Sequence, residues 1–213
     1  MIGLYVTVPV ACFRKALTRE YLETSDVPPP ATCYGFLLSL VGEKDRLRHI
    51  GARVTAGLLD EPDRSVVLRT VWRVKSRPLG SAGNTRPDYQ QLLSGVRLVI
   101  WLDSSDENIS NGPDCLESRV EAALAPERRG AIERFGGLSL GESTHLVDEV
   151  SAWPSNSCQS GRVFLLSGKG KLTAPVWVDH VGSAGTNYVT GELRTMSLAA
   201  PEPSLIPRIE PKT

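Results

Sequence analysis

The stretch Val27-Pro28-Pro29-Pro30-Ala31-Thr32-Cys33-Tyr34-Gly35-Phe36-Leu37-Leu38-Ser39-Leu40-Val41-Gly42-Glu43 restricts the fold more than any other part of the chain. Its three prolines each fix φ and lack an N–H, so they hold an extended segment that cannot continue a helix backwards. The last of them can stand at or just before a helix start, where no donor is missed. Tyr34, Leu37, Leu38 and Val41 then recur at three- and four-residue spacing, the period of one helical face. Gly42 supplies a left-handed stop. The segment predicts a rigid loop delivering a short, mostly buried helix, with Gly35 admitting the close approach of a neighbouring backbone.

Around that helix the pattern is mainly of strands. Ile2, Leu4, Val6 and Val8 alternate with Gly3, Tyr5 and Thr7, the period of a half-buried strand. Asp45–Ile50 reads as a helical turn and Arg53–Leu59 as a strand ended by the turn residues 60–63. Along Ser65–Arg77, Val66, Leu68, Trp72 and Val74 alternate with Arg69, Arg73, Lys75 and Arg77, which predicts one apolar face and one row of cations. Pro78–Ser94 is rich in Gly, Pro, Ser and Asn and reads as a projecting loop or hairpin. Val96–Asp103 alternates again, with Val96, Leu98, Ile100 and Leu102 on one face. Ser104–Pro113 reads as a disordered polar loop, and Cys115–Leu124 as a helix that Asp114 would cap. Arg162–Leu166, Ala174–Asp179 and Asn187–Ser197 read as short strands, and the proline-rich segment from Ala200 as a loose arm.

The order β-α-β-β-α-β over residues 1–150 fits an α+β domain of ferredoxin-like, RRM-type architecture. Residues 151–199 would add a small β-rich C-terminal lobe, and 200–213 a flexible tail. At 213 residues the chain is long enough to bury a core without staples. Cys12, Cys33, Cys115 and Cys158 are scattered and form no C-x-x-C pair, so neither a zinc site nor a disulfide framework is expected, nor any cofactor. The N-terminal stretch carries no basic region and alternates, unlike a signal peptide, and no apolar run approaches the roughly 20 residues of a membrane span. A soluble, cytoplasmic protein with no membrane partner is expected.

The 24 basic and 24 acidic residues cancel, but they are unevenly placed. Lys44–Arg86 holds 10 basic and 4 acidic residues, whereas Trp101–Val150 holds 4 basic and 11 acidic. Such a split suits an anion on one face and a basic neighbour on another, with an ordinary solvated surface as the alternative. Single-stranded RNA needs cations for phosphates and flat groups for bases. Arg73, Lys75 and Arg77 offer cations about 6.5–7 Å apart along a strand, with Arg69 on the same face about 13 Å before them. Arg46, Arg48 and His49 form a second basic group, and Phe13, Arg14, Lys15 and Tyr21 a third that mixes aromatic and cationic groups. Arg86 and Tyr89 lie in the projecting segment. Ser167-Gly168-Lys169-Gly170-Lys171 lacks the order of a Walker loop; it reads as a turn between strands or, through Lys169 and Lys171, as an RNA-touching loop. Gly141-Glu142-Ser143-Thr144-His145 does not fit G-x-S-x-G, and His49, His145 and His180 are isolated from one another.

The ordered set Ile2–Val8, Ala11-Cys12-Phe13-Arg14, Pro28–Glu43, residues 46–51 and Phe135-Gly136-Gly137-Leu138-Ser139-Leu140-Gly141-Glu142-Ser143 resembles the Cas-five family of CRISPR-associated proteins. The resemblance covers most of the first 145 residues. It implies the RRM-type fold with an extended β-hairpin "thumb" near residues 76–96, tipped by Pro78–Ser94. It also implies a non-catalytic subunit of a type I CRISPR Cascade-like complex, gripping the 5′ handle of the guide RNA (crRNA) and capping the backbone filament. The implied partners are the crRNA 5′ handle, the Cascade backbone subunit and the large subunit, with target DNA near the PAM as a further candidate. The basic and aromatic residues named above then form the expected contact set. Some family members cleave guide RNA without metal through a Tyr, Lys and His set, which is not matched here residue by residue. That endoribonuclease activity, and a protein-interaction subunit without RNA contact, are the alternatives.

Overall fold

The computed structural model describes residues 1–15, 21–72, 78, 81, 84–108, 114–134, 136–154, 157–181 and 183–212. Among them, nine strands and two α-helices form a mixed α/β fold dominated by antiparallel pairing. The strands are β1 (Ile2–Ala11), β2 (Tyr21–Leu22), β3 (Arg53–Leu58), β4 (Asp63–Trp72), β5 (Thr85–Asp103), β6 (Glu149–Ala152), β7 (Ser160–Leu166), β8 (Leu172–Trp177) and β9 (Asn187–Ser197). The helices are α1 (Pro30–Leu40) and α2 (Leu116–Leu124). One sheet runs β6-β1-β5-β3-β7-β9-β8, and β2 and β4 pair with the first half of β5.

The proline loop does what its chemistry dictates. Pro29 stands at the N-cap of α1 and Pro30 opens its first turn, where neither needs an N–H. Gly42 follows with φ +68°, and an added Cβ would meet the Glu133 carbonyl at 2.4 Å. Tyr34, Leu37, Leu38 and Val41 are buried, packing with Leu4, Val6 and Val8 of β1 and with Val96, Leu98, Ile100 and Leu102 of β5. Leu116, Val120 and Ala123 of α2 join the same core. A second cluster of Val99, Trp101, Val163, Leu165 and Leu198 covers part of the opposite sheet face.

Several expectations are corrected. Gly35 has no close neighbour: an added Cβ would meet nothing within 4 Å. Val66 and Leu68 do share one face of β4, but that face is not a core face: they are 50% and 62% exposed, because β4 pairs beyond the end of β3 and none of the described residues buries them. Residues 85–94, read from the sequence as part of a projecting loop or hairpin, are strand: they form the first half of β5, held by ten cross-strand pairs with β4 from Asp63↔Ser94 to Trp72↔Thr85. Glu107 lies buried rather than in a disordered loop, and its carboxylate accepts the Leu116 N–H at 3.0 Å. Ser104 Oγ accepts from Glu117 N at 3.1 Å, so this loop caps α2 and Asp114 does not. The strands after residue 160 extend the sheet through β3·β7 pairing. The segment from Ala200 is no loose arm: Ile206 and Ile209 are fully buried, and Ile209 exchanges backbone hydrogen bonds with Gly51 and Ala52.

Candidate nucleic-acid interface

The ribbon of β4 and the first half of β5 leaves the sheet with its faces unequally covered. Partners across antiparallel strands point to the same side, so Val66, Leu68, Gln91 and Tyr89 share one face. Parallel pairing of β2 sets Tyr21 opposite Tyr89, with ring centroids 6.4 Å apart. Tyr21 and Tyr89 are 40% and 52% exposed, so this face carries an open aromatic and aliphatic surface. Gln91 binds below it, donating to the Tyr21 hydroxyl at 3.2 Å and accepting from Thr24 N and Arg64.

On the other face, Arg69 donates to Gln90, and its Nη1 lies 3.3 Å from Glu142 Oε2. Gln90 also donates to Glu142 Oε1 at 2.9 Å. The loop bearing Glu142 is fixed by Gly141, whose φ of +99° suits glycine and whose added Cβ would strike the Cys12 carbonyl at 2.6 Å. His145 holds the same joint, accepting the Cys12 N–H on Nδ1 at 3.1 Å. Burial pushes the His145 pKa down, with Glu142 opposing and the Arg69 charge adding to the fall. Burial likewise raises the Cys12 thiol, which makes it a poor nucleophile.

The structure gathers part of the sequence-derived set at this base. Arg14 and Lys15 are exposed beside β2, and Lys15 pairs with Glu23 at 3.1 Å. Tyr21, Tyr89 and Arg69 are exposed on the ribbon, and Arg86 pairs with Asp88 at 3.0 Å. Lys169 and Lys171 lie in the exposed β7–β8 turn. Two residues are corrected. Phe13 is 1% exposed, a core side chain whose N–H donates to Thr24 Oγ1. His49 is fully buried: Arg119 donates to Nε2 at 2.8 Å, leaving Nδ1–H for Glu107. Arg73, Lys75 and Arg77 lie outside the described residues.

Arg46 and Arg48 stand elsewhere, at the end of α1. Arg48 pairs with Glu43 at 3.1 Å, and the Arg46 guanidinium stacks 4.2 Å over the Trp177 ring. Burial alone would raise the Glu43 carboxyl, but Arg119 and the N–H groups of Asp45 and Lys44 hold it down at about 2. The charge split along the sequence is answered in part within the chain: Arg53–Asp106 (2.7 Å) and Arg69–Glu142 join the basic and acidic stretches. Gln90, Gln91, Glu142, Trp177 and Arg119 were not singled out from the sequence, because their partners lie far away along the chain. Among the described residues, no cluster of His, Cys, Asp and Glu could hold a metal, and no helix is long and apolar enough to cross a membrane.

The fold is similar to those of two solved Cas structures. A chain of a CRISPR RNA-guided surveillance complex superposes with a TM-score of 0.56 at 12% identity, covering 92% of this chain and 89% of that one. A Cas protein crystal structure gives 0.51 at 11% identity, covering 93% and 94%. No family model matches the chain. In sequence it is 52% identical over 212 residues to the CRISPR-associated protein Cas5 of Myxococcus xanthus (strain DK1622), covering 98% of this chain and 97% of that relative. The chain belongs to the Cas5 family.

Proposed function

We propose that this chain is the non-catalytic, RNA-binding subunit of a type I CRISPR Cascade-like effector complex. It grips the crRNA 5′ handle and caps the backbone filament, next to the first backbone subunit and the large subunit. The observation that carries this reading is the 52% identity to a Cas5 protein along nearly the whole chain. In this reading the sheet and two helices are the RRM-type palm, and the β4–β5 ribbon is the thumb. Arg14, Lys15, Tyr21, Arg69, Arg86 and Tyr89 then meet the RNA around the ribbon, where aromatic faces stack bases and cations exchange their carboxylates for phosphates. The non-catalytic assignment draws support from two histidines. The accepting nitrogen of His49 is occupied by Arg119, and that of His145 by the Cys12 N–H, so neither offers a lone pair for a 2′-OH proton.

A second reading, a protein-interaction subunit without RNA contact, is favoured by one observation. The ribbon's exposed surface is apolar at Val66 and Leu68, and its base cations Lys15, Arg64 and Arg69 are paired to carboxylates. The test is to tag the chain, express it with its neighbouring genes and a repeat array, and sequence the co-purifying RNA. A uniform small RNA with one fixed repeat-derived 5′ end is expected. Stable protein partners with no enriched RNA would overturn the handle-binding reading and favour the second.

A further inference from the structure

Glycine inside a helix destabilises it relative to alanine, so a mid-helix glycine needs a reason. At two strand and turn glycines the reason is contact: an added Cβ at Gly57 would meet Val163 at 2.8 Å, and one at Gly170 the Gly191 carbonyl at 2.1 Å. At Gly35 it would meet nothing within 4 Å, and the backbone there is ordinary helix. Neither packing nor conformation within the chain asks for glycine at this position.

Its bare face opens into a cleft of about 470 Å³. The outer surface of α1 forms the floor, with Thr32 three residues before Gly35 and Ser39 four after it, on the same helix face. One wall is the turn 42–46 with Lys44 and Arg46, the second is Glu133, Arg134, Ser139 and Gly141, and the third is Val178 and His180. These walls are held firmly. Gly42 lets the Glu133 carbonyl close on the end of α1, and Arg134 donates to the Leu40 carbonyl at 2.9 Å. Arg46 is stacked on Trp177, donates to the Val178 carbonyl at 3.0 Å, and has its own carbonyl bound by the Tyr34 hydroxyl at 2.8 Å. Of the acids nearby, Glu43 is neutralised by Arg119 and Arg48. Glu133 also lines the cleft, so Lys44, Arg46 and Arg134 outnumber one remaining acid and leave the rim net cationic.

We propose that this cleft is a nucleotide subsite, seating one ribose-phosphate unit of the guide RNA against the bare face of Gly35. It rests on the RNA-binding reading above. A three-walled cleft of this volume lies within the roughly 300–1,000 Å³ range of small-ligand sites. Lys44 and Arg46 supply charge for the phosphate. The hydroxyls of Thr32 and Ser39 are the groups that can meet a 2′-OH. Glycine is kept because a side chain would occupy the sugar's place.

The test uses the co-expressed complex and compares wild type with Gly35→Ala, Gly35→Leu and Lys44→Ala. Gly35→Ala should raise the melting temperature of the chain by about 2–4 °C. Gly35→Leu should fill the cleft and lower guide-RNA affinity by about tenfold at about 150 mM salt, with the protein partners retained. Lys44→Ala, at an exposed position, should flatten the salt dependence by about 0.7 in log–log slope, and it decides the matter should Gly35→Leu not fold. Unchanged affinity in a folded Gly35→Leu chain, or loss of a protein partner instead of RNA, overturns the subsite and leaves the RNA-binding reading standing. Wild-type complex that holds no RNA overturns both.

Discussion

Arg69 Nη1 lies 3.3 Å from Glu142 Oε2, tying strand β4 to a loop 73 residues further along the chain. Gln90 binds the other oxygen of the same carboxylate, so the pair is oriented and not a chance surface contact. In the RNA-binding reading, a cation held this way is positioned for a phosphate but partly neutralised. Replacing Glu142 with Gln keeps an acceptor and removes the charge. Glu142→Gln should therefore tighten RNA binding and steepen its salt dependence by up to about 0.7 in log–log slope, while Arg69→Ala should do the reverse. Filter binding across a salt series checks both. Two unchanged slopes would remove Arg69 from the contact set.

Glu107 has a structural task. Its carboxylate joins His49 to the first N–H of α2, and both Glu107 and His49 side chains are fully buried. Removing one partner leaves a buried polar group without its bond, which costs about 3 kcal/mol or more. Glu107→Ala should lower the melting temperature by roughly 6–12 °C, and Glu107→Gln, which retains an acceptor for Leu116 N, by less. Equal melting of Glu107→Ala and wild type would show that α2 is anchored by other contacts.

Local periodicity made α1, β1 and β9 legible, because each signal needs only its own residues. Asn187–Ser197 was read with the observed bounds, and Gly42 was read as the left-handed stop it is. What failed depended on distant partners. Pro87 and its polar neighbours read as loop or hairpin, and only the cross-strand pairing with Thr70 decides between them, placing Pro87 in β5, where β4 is its one described strand neighbour. Val66 and Leu68 alternate as a core face would, and alternation alone cannot say whether anything lies opposite. The prolines after Ala200 suggested looseness, while Ile206 and Ile209 carry the burial that docks the segment on β3's free edge. Of the contact set, exposure separated Tyr21, Arg69 and Tyr89 from the buried Phe13 and His49. No one-dimensional pattern marks that difference.

Glu43 sets an acid-sensitive joint. Its carboxyl, held at about 2 against an ordinary 4.5, binds protons less readily in the folded chain than in the unfolded one. Its stabilising contribution is therefore fully present above about pH 4.5 and is lost as pH falls toward 2. Denaturant titrations between pH 6 and about pH 3 should show a steeper loss of stability in wild type than in Glu43→Gln. Parallel curves would mean that the Arg119 pair does not depend on the charge of Glu43.

Leu68 and Val66 sit on a strand that, among the described residues, pairs on one side only, with β5. An edge strand with exposed aliphatic groups and few charges invites another surface, and monomeric proteins usually blunt such edges. Here Arg64 is paired to Asp26 and Arg69 to Glu142, so neither guards the edge as a free charge. In the effector-complex reading this face meets a neighbouring subunit, with Tyr21 and Tyr89 beside it. The double variant Val66→Thr, Leu68→Lys removes the apolar surface without touching the core. Its melting temperature should stay near wild type, since changes at exposed positions generally fall within about 0.5 kcal/mol. The isolated chain should become more soluble, and recovery of its protein neighbours in a tagged purification should fall severalfold. Full recovery of every neighbour would show that the exposed face of β4 is not a subunit contact.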